Sequence, residues 1–248
     1  MSRFLRPSMQ GDQTVFCNYA VREPATCDLS LVTGPFIWQE EYQRALAKAE
    51  NQLIHFYALP SENPALLAAI ADYDNVGVDA IMLASGADSA LETIMSRFLE
   101  SGDVFGILSP NFPRFAIFAA TIPGLEVKVF KDLADVPAKA NLISVCTPNN
   151  PSTEELPLAD LRRAIAENPD SLFCVDGVFE WYGSYRLSEL CREFDNVLVL
   201  KSFSKIGLAG LRLGYVLGNP GLISDLKVGT TPFSVPALVQ GVGLEIAR

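Results

Sequence analysis

One short segment, residues 201–215, combines side chains that can bind an anion with a side chain that can attack a carbonyl. Its sequence is Lys-Ser-Phe-Ser-Lys-Ile-Gly-Leu-Ala-Gly-Leu-Arg-Leu-Gly-Tyr, and it follows an apolar run, residues 197–200, that is typical of a buried strand. Serine hydroxyls and the guanidinium of Arg212 can hold a phosphate dianion, while the amine of Lys205 can condense with an aldehyde. The segment therefore fits a ligand that is both a phosphate ester and an aldehyde.

Pyridoxal phosphate is the cofactor that carries this pair of groups, and the segment predicts a site for it. The same segment also satisfies the Ser-x-x-Lys pattern of penicillin-recognising acyl enzymes, since Ser202 precedes Lys205 by three positions. Those enzymes need companion motifs of the Ser-Asp-Asn and Lys-Thr-Gly type, and neither string occurs in this chain. The cofactor is therefore the favoured interpretation.

The composition disfavours several other classes of function. The 248 residues carry a formal net charge of -10, whereas nucleic-acid-binding proteins normally present a basic face. His55 is the only histidine, so a Ser-His-Asp triad or a histidine-based metal centre has almost no material in this sequence. No apolar run is long enough for a membrane span, and the first residues lack the apolar core of a signal peptide. We expect a cytoplasmic enzyme that acts on small molecules, with no metal, nucleic acid or membrane as partner.

Short apolar strands alternate with helices along most of the chain. The pattern predicts strands at residues 80–84, 104–108, 125–130, 142–146, 172–175, 197–200 and 213–217. It predicts helices at residues 39–53, 64–73, 88–99, 112–120 and 158–166. Such an alternation indicates an α/β fold with a mainly parallel sheet covered by helices on both faces. We expect residues 1–33 to form an N-terminal arm and residues 34–248 to form a single large domain.

The polar motifs all follow predicted strands. They are Gly86-Ala87-Asp88, Pro110-Asn111-Phe112, Pro148-Asn149-Asn150-Pro151, Asp176 and the segment from Ser202 to Lys205. In open α/β sheets, ligands bind beyond the carboxyl ends of the strands, so these motifs are expected to share one edge. The helix predicted after Gly86 points its N-terminus toward that edge, where free backbone N–H groups favour a phosphate.

In this order and spacing, the motifs resemble those of the fold-type I pyridoxal-phosphate aminotransferases of class I/II. The resemblance is strongest to the histidinol-phosphate aminotransferase branch and covers residues 57–236. It implies the large domain of that fold, with a mixed seven-stranded sheet between helices. It also implies a homodimer, because the family's sites borrow residues across the subunit interface.

The resemblance implies a role for each residue around the cofactor ring. Lys205 would form a Schiff base with pyridoxal phosphate and later move a proton between the substrate α-carbon and the cofactor. Asp176 would pair with the pyridinium nitrogen and keep it protonated. Asn150 would donate to the phenolic oxygen, and Phe112 would stack on the ring.

The resemblance also implies a phosphate cradle and one contact from the partner subunit. The cradle would consist of the backbone amides of Ala87 and Asp88, the hydroxyls of Ser202 and Ser204, and Arg212. Tyr57 would reach the phosphate bound by the partner, although Ala58-Leu59-Pro60 departs from the family's Tyr-Pro-Asp-Pro segment. Each assignment has an ordinary alternative: a turn for Asp176 and Asn150, core packing for Phe112, local backbone bonding for the serines and a helix cap for Asp88.

Two features depart from the family pattern. The family usually has Asp-Glu-Ala-Tyr where this chain has Asp176-Gly177-Val178-Phe179, so Phe179 lines the site without the tyrosine hydroxyl that helps to bind the phenolate. We expect the Schiff base to keep its proton to higher pH than in relatives with the tyrosine, and an unchanged spectral titration in a Phe179→Tyr variant would contradict this. The second feature is length: relatives continue into a small C-terminal domain that carries the arginine for the substrate carboxylate, and we expect that domain to be missing here.

Transamination is the favoured function, in which an amino acid or a related amine gives its nitrogen to a 2-oxo acid through the cofactor. The same scaffold also supports decarboxylation and elimination, and these alternatives stay open. A catalytically impaired protein that binds pyridoxal phosphate is a third possibility, because it accommodates both departures from the family.

Overall fold

The computed structural model of the chain describes Val32 and residues 39–49, 57–58 and 61–247. His55 and nearly all of the predicted arm, residues 1–33, lie outside these ranges. The end of the first predicted helix, residues 50–53, also lies outside them. None of the helices in these ranges is long and apolar enough to cross a bilayer.

Seven strands and eight α-helices follow one another along the described residues. The strands are β1 Ile81–Ala84, β2 Val104–Leu108, β3 Glu126–Phe130, β4 Leu142–Cys146, β5 Leu172–Asp176, β6 Val197–Ser202 and β7 Gly214–Gly218. The helices are α1 Gln39–Ala49, α2 Pro64–Asp74, α3 Ala87–Phe98, α4 Arg114–Ala119, α5 Leu158–Glu167, α6 Ser188–Glu193, α7 Pro220–Lys227 and α8 Ala237–Ala247.

The strands form one mixed sheet in the order β1-β7-β6-β5-β4-β2-β3. Strands β2 to β6 run parallel to one another, whereas β7 is antiparallel to both of its neighbours, β1 and β6. Every strand predicted from the sequence is present, with each end within two residues of its predicted position. The predicted fold class, a mainly parallel but mixed seven-stranded sheet, is confirmed.

Helices cover both faces of the sheet, so most strand residues are buried. One face packs a core that includes Leu66, Ile143 and Phe173, and the other packs a core that includes Ile94 and Phe105. Because successive side chains of a strand point to opposite faces, continuous apolar strands are the sequence pattern that such a two-sided core requires. The sheet is therefore a rigid support for the loops at its edges.

Local sequence signals explain where several helices begin. The side chain of Asn63 accepts hydrogen bonds from the backbone N–H groups of Ala65 and Leu66, at 2.9 and 3.3 Å, and Pro64 occupies the first turn of α2. Asn219 and Pro220 repeat this arrangement at the start of α7, which the sequence prediction omitted. Helices α6 and α8 were also omitted.

Candidate active site

A cavity of about 470 Å³ lies at the edge of the sheet where the parallel strands end, and we call it the carboxyl-edge cavity. Its volume is in the range of small-molecule and cofactor sites. The predicted site residues that line it are Ala87, Asp88, Phe112, Asn150, Asp176, Phe179, Ser202, Ser204, Lys205 and Arg212. Apolar residues complete the wall: Val32, Leu91, Val178, Leu200 and Ala209. The structure thus brings together predicted residues that are up to 125 positions apart, since Ala87 and Arg212 both belong to the lining.

Lys205 enters the cavity from a 3-10 turn, Phe203–Ile206, that directly follows β6. Its Nζ atom lies 5.4 Å from the ring centroid of Phe179. Partial burial lowers the pKa of the Lys205 amine and nearby Arg212 lowers it further, while Asp176 and Asp88 oppose the shift. A lower pKa increases the fraction of neutral amine, which is the form that attacks a carbonyl.

Asp176 is the last residue of β5, and only 6% of it is exposed. Burial raises the pKa of its carboxyl group to about 6, and the charge of Asp88 adds to this effect. A hydrogen bond from the backbone N–H of Val178 to Oδ1, at 3.0 Å, and the charge of Lys205 act in the opposite direction. A buried carboxylate of this kind is stabilised by a cationic partner such as a protonated ring nitrogen.

The N-terminus of α3 and Arg212 lie close together in the lining of the cavity. Gly86 precedes the helix with φ +82°, and a Cβ atom at this position would lie 2.7 Å from a guanidinium nitrogen of Arg212. The backbone conformation therefore favours glycine here, and a side chain at this position would also displace the guanidinium of Arg212. The free N–H groups of the first turn and the guanidinium together make a site for an anion.

The two serines have a local role as well as a place in the cavity wall. Ser202 Oγ accepts a hydrogen bond from the backbone N–H of Ser204 at 3.1 Å and donates one to Ser204 Oγ at 2.9 Å. Local backbone bonding, the ordinary alternative for these residues, is thus observed for Ser202. Since Ser204 Oγ accepts this bond, its own hydrogen can point toward a ligand in the cavity.

Two asparagines that the sequence prediction gave no role hold the loops of Phe112 and Asn150. Asn111 donates to the carbonyl oxygen of Ser144 at 3.2 Å and accepts from the backbone N–H of Phe112 at 2.8 Å. Asn149 donates to the carbonyl oxygen of Pro110 at 2.7 Å and so joins the two loops. The signal was present in the sequence, because each asparagine directly precedes a predicted site residue.

Tyr57 does not line the carboxyl-edge cavity. Its ring stacks on Phe233 with 4.7 Å between the centroids, and 76% of the residue is exposed. The sequence prediction assigned Tyr57 to the cofactor of a partner subunit, so its absence from the cavity of its own chain agrees with that role but does not test it. Among the described residues there is no group of three or more side chains suited to a metal ion.

The sequence matches the family model described as aminotransferase class I and II over residues 28–248. The chain belongs to this family. It is 26% identical over 247 residues to the histidinol-phosphate aminotransferase of Thermoanaerobacter pseudethanolicus, an alignment that covers 94% of this chain and 70% of that protein. It is 32% identical over 216 residues to the same enzyme of Methanocaldococcus jannaschii, covering 80% of this chain and 57% of that protein.

Solved structures with the same fold include two enzymes of different activity. One is histidinol-phosphate aminotransferase from Sinorhizobium meliloti in complex with pyridoxal-5'-phosphate, with a TM-score of 0.75 and 22% identity, covering 86% of this chain and 61% of that chain. The other is L-threonine-O-3-phosphate decarboxylase from Porphyromonas gingivalis, with a TM-score of 0.76 and 23% identity, covering 87% of this chain and 70% of that chain. This aminotransferase-family chain therefore spans between 57% and 70% of the relatives and structures named here.

The packing around Gly177 explains one departure of this aminotransferase sequence from the family pattern. A Cβ atom at Gly177 would lie 2.6 Å from Leu187 Cδ1 and 3.2 Å from the carbonyl oxygen of Leu200. The space that a larger residue needs is thus filled by the chain's own core. Two positions later, Phe179 lines the cavity and has no hydroxyl, whereas the family's tyrosine would carry one.

Proposed function

We propose that this chain binds pyridoxal phosphate through Lys205 and moves an amino group between an amino acid, or a related amine, and a 2-oxo acid. The observation that supports the proposal is the composition of the carboxyl-edge cavity, whose lining includes Lys205, Asp176 and Arg212. An amine, a buried carboxyl group and an anion site are the three groups that this cofactor requires. The donor set of the cavity therefore fits the cofactor of the family.

The charged groups of the cavity lining would orient the cofactor. Arg212 and the N-terminus of α3 would bind the phosphate, with Ser204 as a further donor. Asp176, which is buried, would hold a positive charge on the ring nitrogen. Phe112 would stack on the face of the cofactor ring, and Asn150 would donate to its phenolic oxygen. When bound, the cofactor withdraws electrons from the α-carbon of the attached amino acid.

Lys205 would then act as the base and acid that carries a proton at that α-carbon. Its lowered pKa suits this task, because a proton carrier works best when its pKa lies close to the working pH. Asp88 and Asp176 keep the amine basic enough to take up the proton. The apolar part of the wall, including Leu91 and Leu200, would exclude water from the reacting atoms.

We further propose that residues 34–248 form the large domain of a cytoplasmic homodimer, with residues 1–33 as an arm. The exposed ring of Tyr57, which stacks on the half-buried Phe233, supports the dimer, because large exposed aromatic rings are typical of interaction surfaces. The acidic net charge of -10 supports a small-molecule enzyme without a nucleic-acid partner.

A single-turnover experiment tests the reaction class. The protein loaded with pyridoxal phosphate is mixed with amino acids and with amino-acid phosphates, and the cofactor spectrum and the released products are recorded. Conversion of the cofactor to its amine form, with release of a 2-oxo acid, is the expected result. Release of carbon dioxide without that conversion would instead establish a decarboxylase, and no change with any donor would contradict both activities.

A further inference from the structure

Three consecutive side chains contact the segment that carries Lys205. They belong to a 3-10 turn, Glu180–Tyr182, that we call the 180–182 turn. Glu180 Oε1 lies 2.7 Å from Lys201 Nζ, Trp181 Nε1 donates to the carbonyl oxygen of Ser202 at 3.4 Å, and Tyr182 OH donates to the carbonyl oxygen of Lys205 at 2.7 Å. The turn thus contacts both the end of β6 and the backbone of Lys205.

A buried ion cluster, formed by Asp74, Glu180 and Lys201, holds this turn in place. Lys201 is 1% exposed, and its ammonium group lies between Asp74, at 2.5 Å, and Glu180. The other Asp74 oxygen accepts a hydrogen bond from Tyr215 OH at 2.8 Å, and the other Glu180 oxygen accepts one from the backbone N–H of Leu187 at 3.0 Å. Because each carboxylate oxygen has a partner, the cluster has few alternative arrangements and is rigid.

The anchored turn also sets the position of the Lys205 amine. Phe179 directly precedes the turn, and its ring centroid lies 5.4 Å from Lys205 Nζ. Tyr182 therefore contacts the backbone of Lys205 while Phe179 contacts its amine. A free lysine side chain samples many rotamers, so contacts at both ends restrict it to few conformations.

We infer that Trp181 and Tyr182 are positioning residues, which hold the backbone around Lys205 so that its amine stays in the carboxyl-edge cavity beside Asp176. The inference rests on the proposed role of Lys205. It extends that role to two residues that do not line the carboxyl-edge cavity. The clearest variant is Tyr182→Phe, which removes one hydroxyl from a residue that is 54% exposed.

Chemical labelling of the cofactor-free protein tests the inference directly. An acylating reagent is applied over a range of pH, and labelling at Lys205 is measured by mass spectrometry of its peptide. In the native chain the amine faces Phe179, Asp176, Asp88 and Arg212, and burial lowers its pKa. In Tyr182→Phe the segment relaxes toward water, so the labelling midpoint is expected to move up toward that of an ordinary lysine.

Binding of pyridoxal phosphate provides a second readout. Loss of one hydrogen bond is expected to weaken binding about fivefold in Tyr182→Phe, with an effect in the same direction in Trp181→Phe. Tyr42→Phe is the matched control, since Tyr42 lies on α1, away from the cavity lining, and it should change neither readout. The thermal midpoint of each variant is measured in parallel, and Trp181→Phe replaces Tyr182→Phe if the latter does not fold.

The outcomes separate this inference from the proposed function. A shifted labelling midpoint in a folded variant supports the positioning role, even if the native chain binds no cofactor and the proposed function fails. The opposite result is a native chain that binds the cofactor and folded Trp181→Phe and Tyr182→Phe variants that match it in both labelling and binding. That result would overturn the positioning role and leave the proposed function intact.

Discussion

Asp176 and Lys205 lie in one cavity, where burial moves their pKa values toward each other. The pKa of Asp176 rises to about 6 and that of Lys205 falls, because burial disfavours the charged form of each group. Each also stabilises the charge of the other. The site thus holds an acid and a base whose neutral forms are more accessible near neutral pH than on a protein surface, which is the property that proton-transfer chemistry needs.

The raised pKa of Asp176 has a consequence for stability in the absence of cofactor. An aspartate in the unfolded chain titrates near 3.9, so between about pH 4 and pH 6 the folded protein keeps a proton that the unfolded chain releases. Stability from this group therefore falls as pH rises through that window and is constant above it. Above about pH 6, ionisation of Asp176 lowers the free energy of unfolding by an amount on the order of 3 kcal/mol.

An Asp176→Asn variant removes this cost and keeps an oxygen for the N–H of Val178. We expect the cofactor-free variant to match the native protein near pH 4 and to be more stable above pH 6, by denaturant unfolding at each pH. Asp170→Asn is the control, since this exposed position should change stability little at any pH. A native protein that is as stable as Asp176→Asn at pH 7 would show that Asp176 carries no burial cost.

At the scale of elements, the connection from β5 to the 180–182 turn depends on a close approach at Gly177. This residue lies against Leu187 and against the carbonyl oxygen of Leu200 in β6. The approach allows the turn to reach the backbone of Ser202 and Lys205. The departure of this chain from the family at Gly177 therefore belongs to the packing that supports the lysine.

A Gly177→Ala substitution measures this packing. The added methyl group must displace Leu187 or the β6 backbone, so we expect the free energy of unfolding to fall by about 1–3 kcal/mol. Gly210→Ala is the matched control, because a Cβ atom at that position would have open space beyond the adjacent residues of the chain. Equal stabilities of the two variants, measured by denaturant titration, would mean that the space around Gly177 can adjust without cost.

Elements with a strong local pattern were predictable from the sequence, whereas elements defined by distant contacts were not. The seven strands are apolar runs bounded by turn residues, and α2 has an Asn-Pro cap. Helix α8 was missed because it is apolar on most sides and contains Gly241 and Gly243, which gives no helical periodicity. The cluster of Asp74, Glu180 and Lys201 was missed because it joins residues up to 127 positions apart.

At the scale of the whole molecule, the direction of β7 decides where Arg212 lies. Arg212 precedes β7, and because β7 is antiparallel to β6 its first residues lie beside the end of β6. A Cβ atom at Gly214 would lie within 3.1 Å of backbone atoms of Lys201, Gly86 and Ala87, so glycine lets these segments approach. A wholly parallel sheet would have placed Arg212 at the opposite edge, away from Lys205.

The proposed homodimer makes a testable statement about Tyr57. If its ring serves the partner's site, a mixture of Lys205→Ala chains and Tyr57→Ala chains forms heterodimers with one site that has both residues. We expect each variant alone to bind pyridoxal phosphate weakly and the mixture to regain tight binding at up to half of the sites in the heterodimer. No recovery, or a native protein that sediments as a cofactor-loaded monomer, would contradict the shared site.

The central claim is a covalent bond between Lys205 and pyridoxal phosphate, and borohydride reduction tests it most directly. The protein is incubated with the cofactor, its visible spectrum is recorded before and after reduction, and its peptides are mapped by mass spectrometry. We predict a visible band that reduction abolishes, with the cofactor fixed on the Lys205 peptide, and the same result in a Lys131→Ala control. A folded protein that stays colourless with added cofactor, or that is modified equally in a Lys205→Ala variant, would contradict the account.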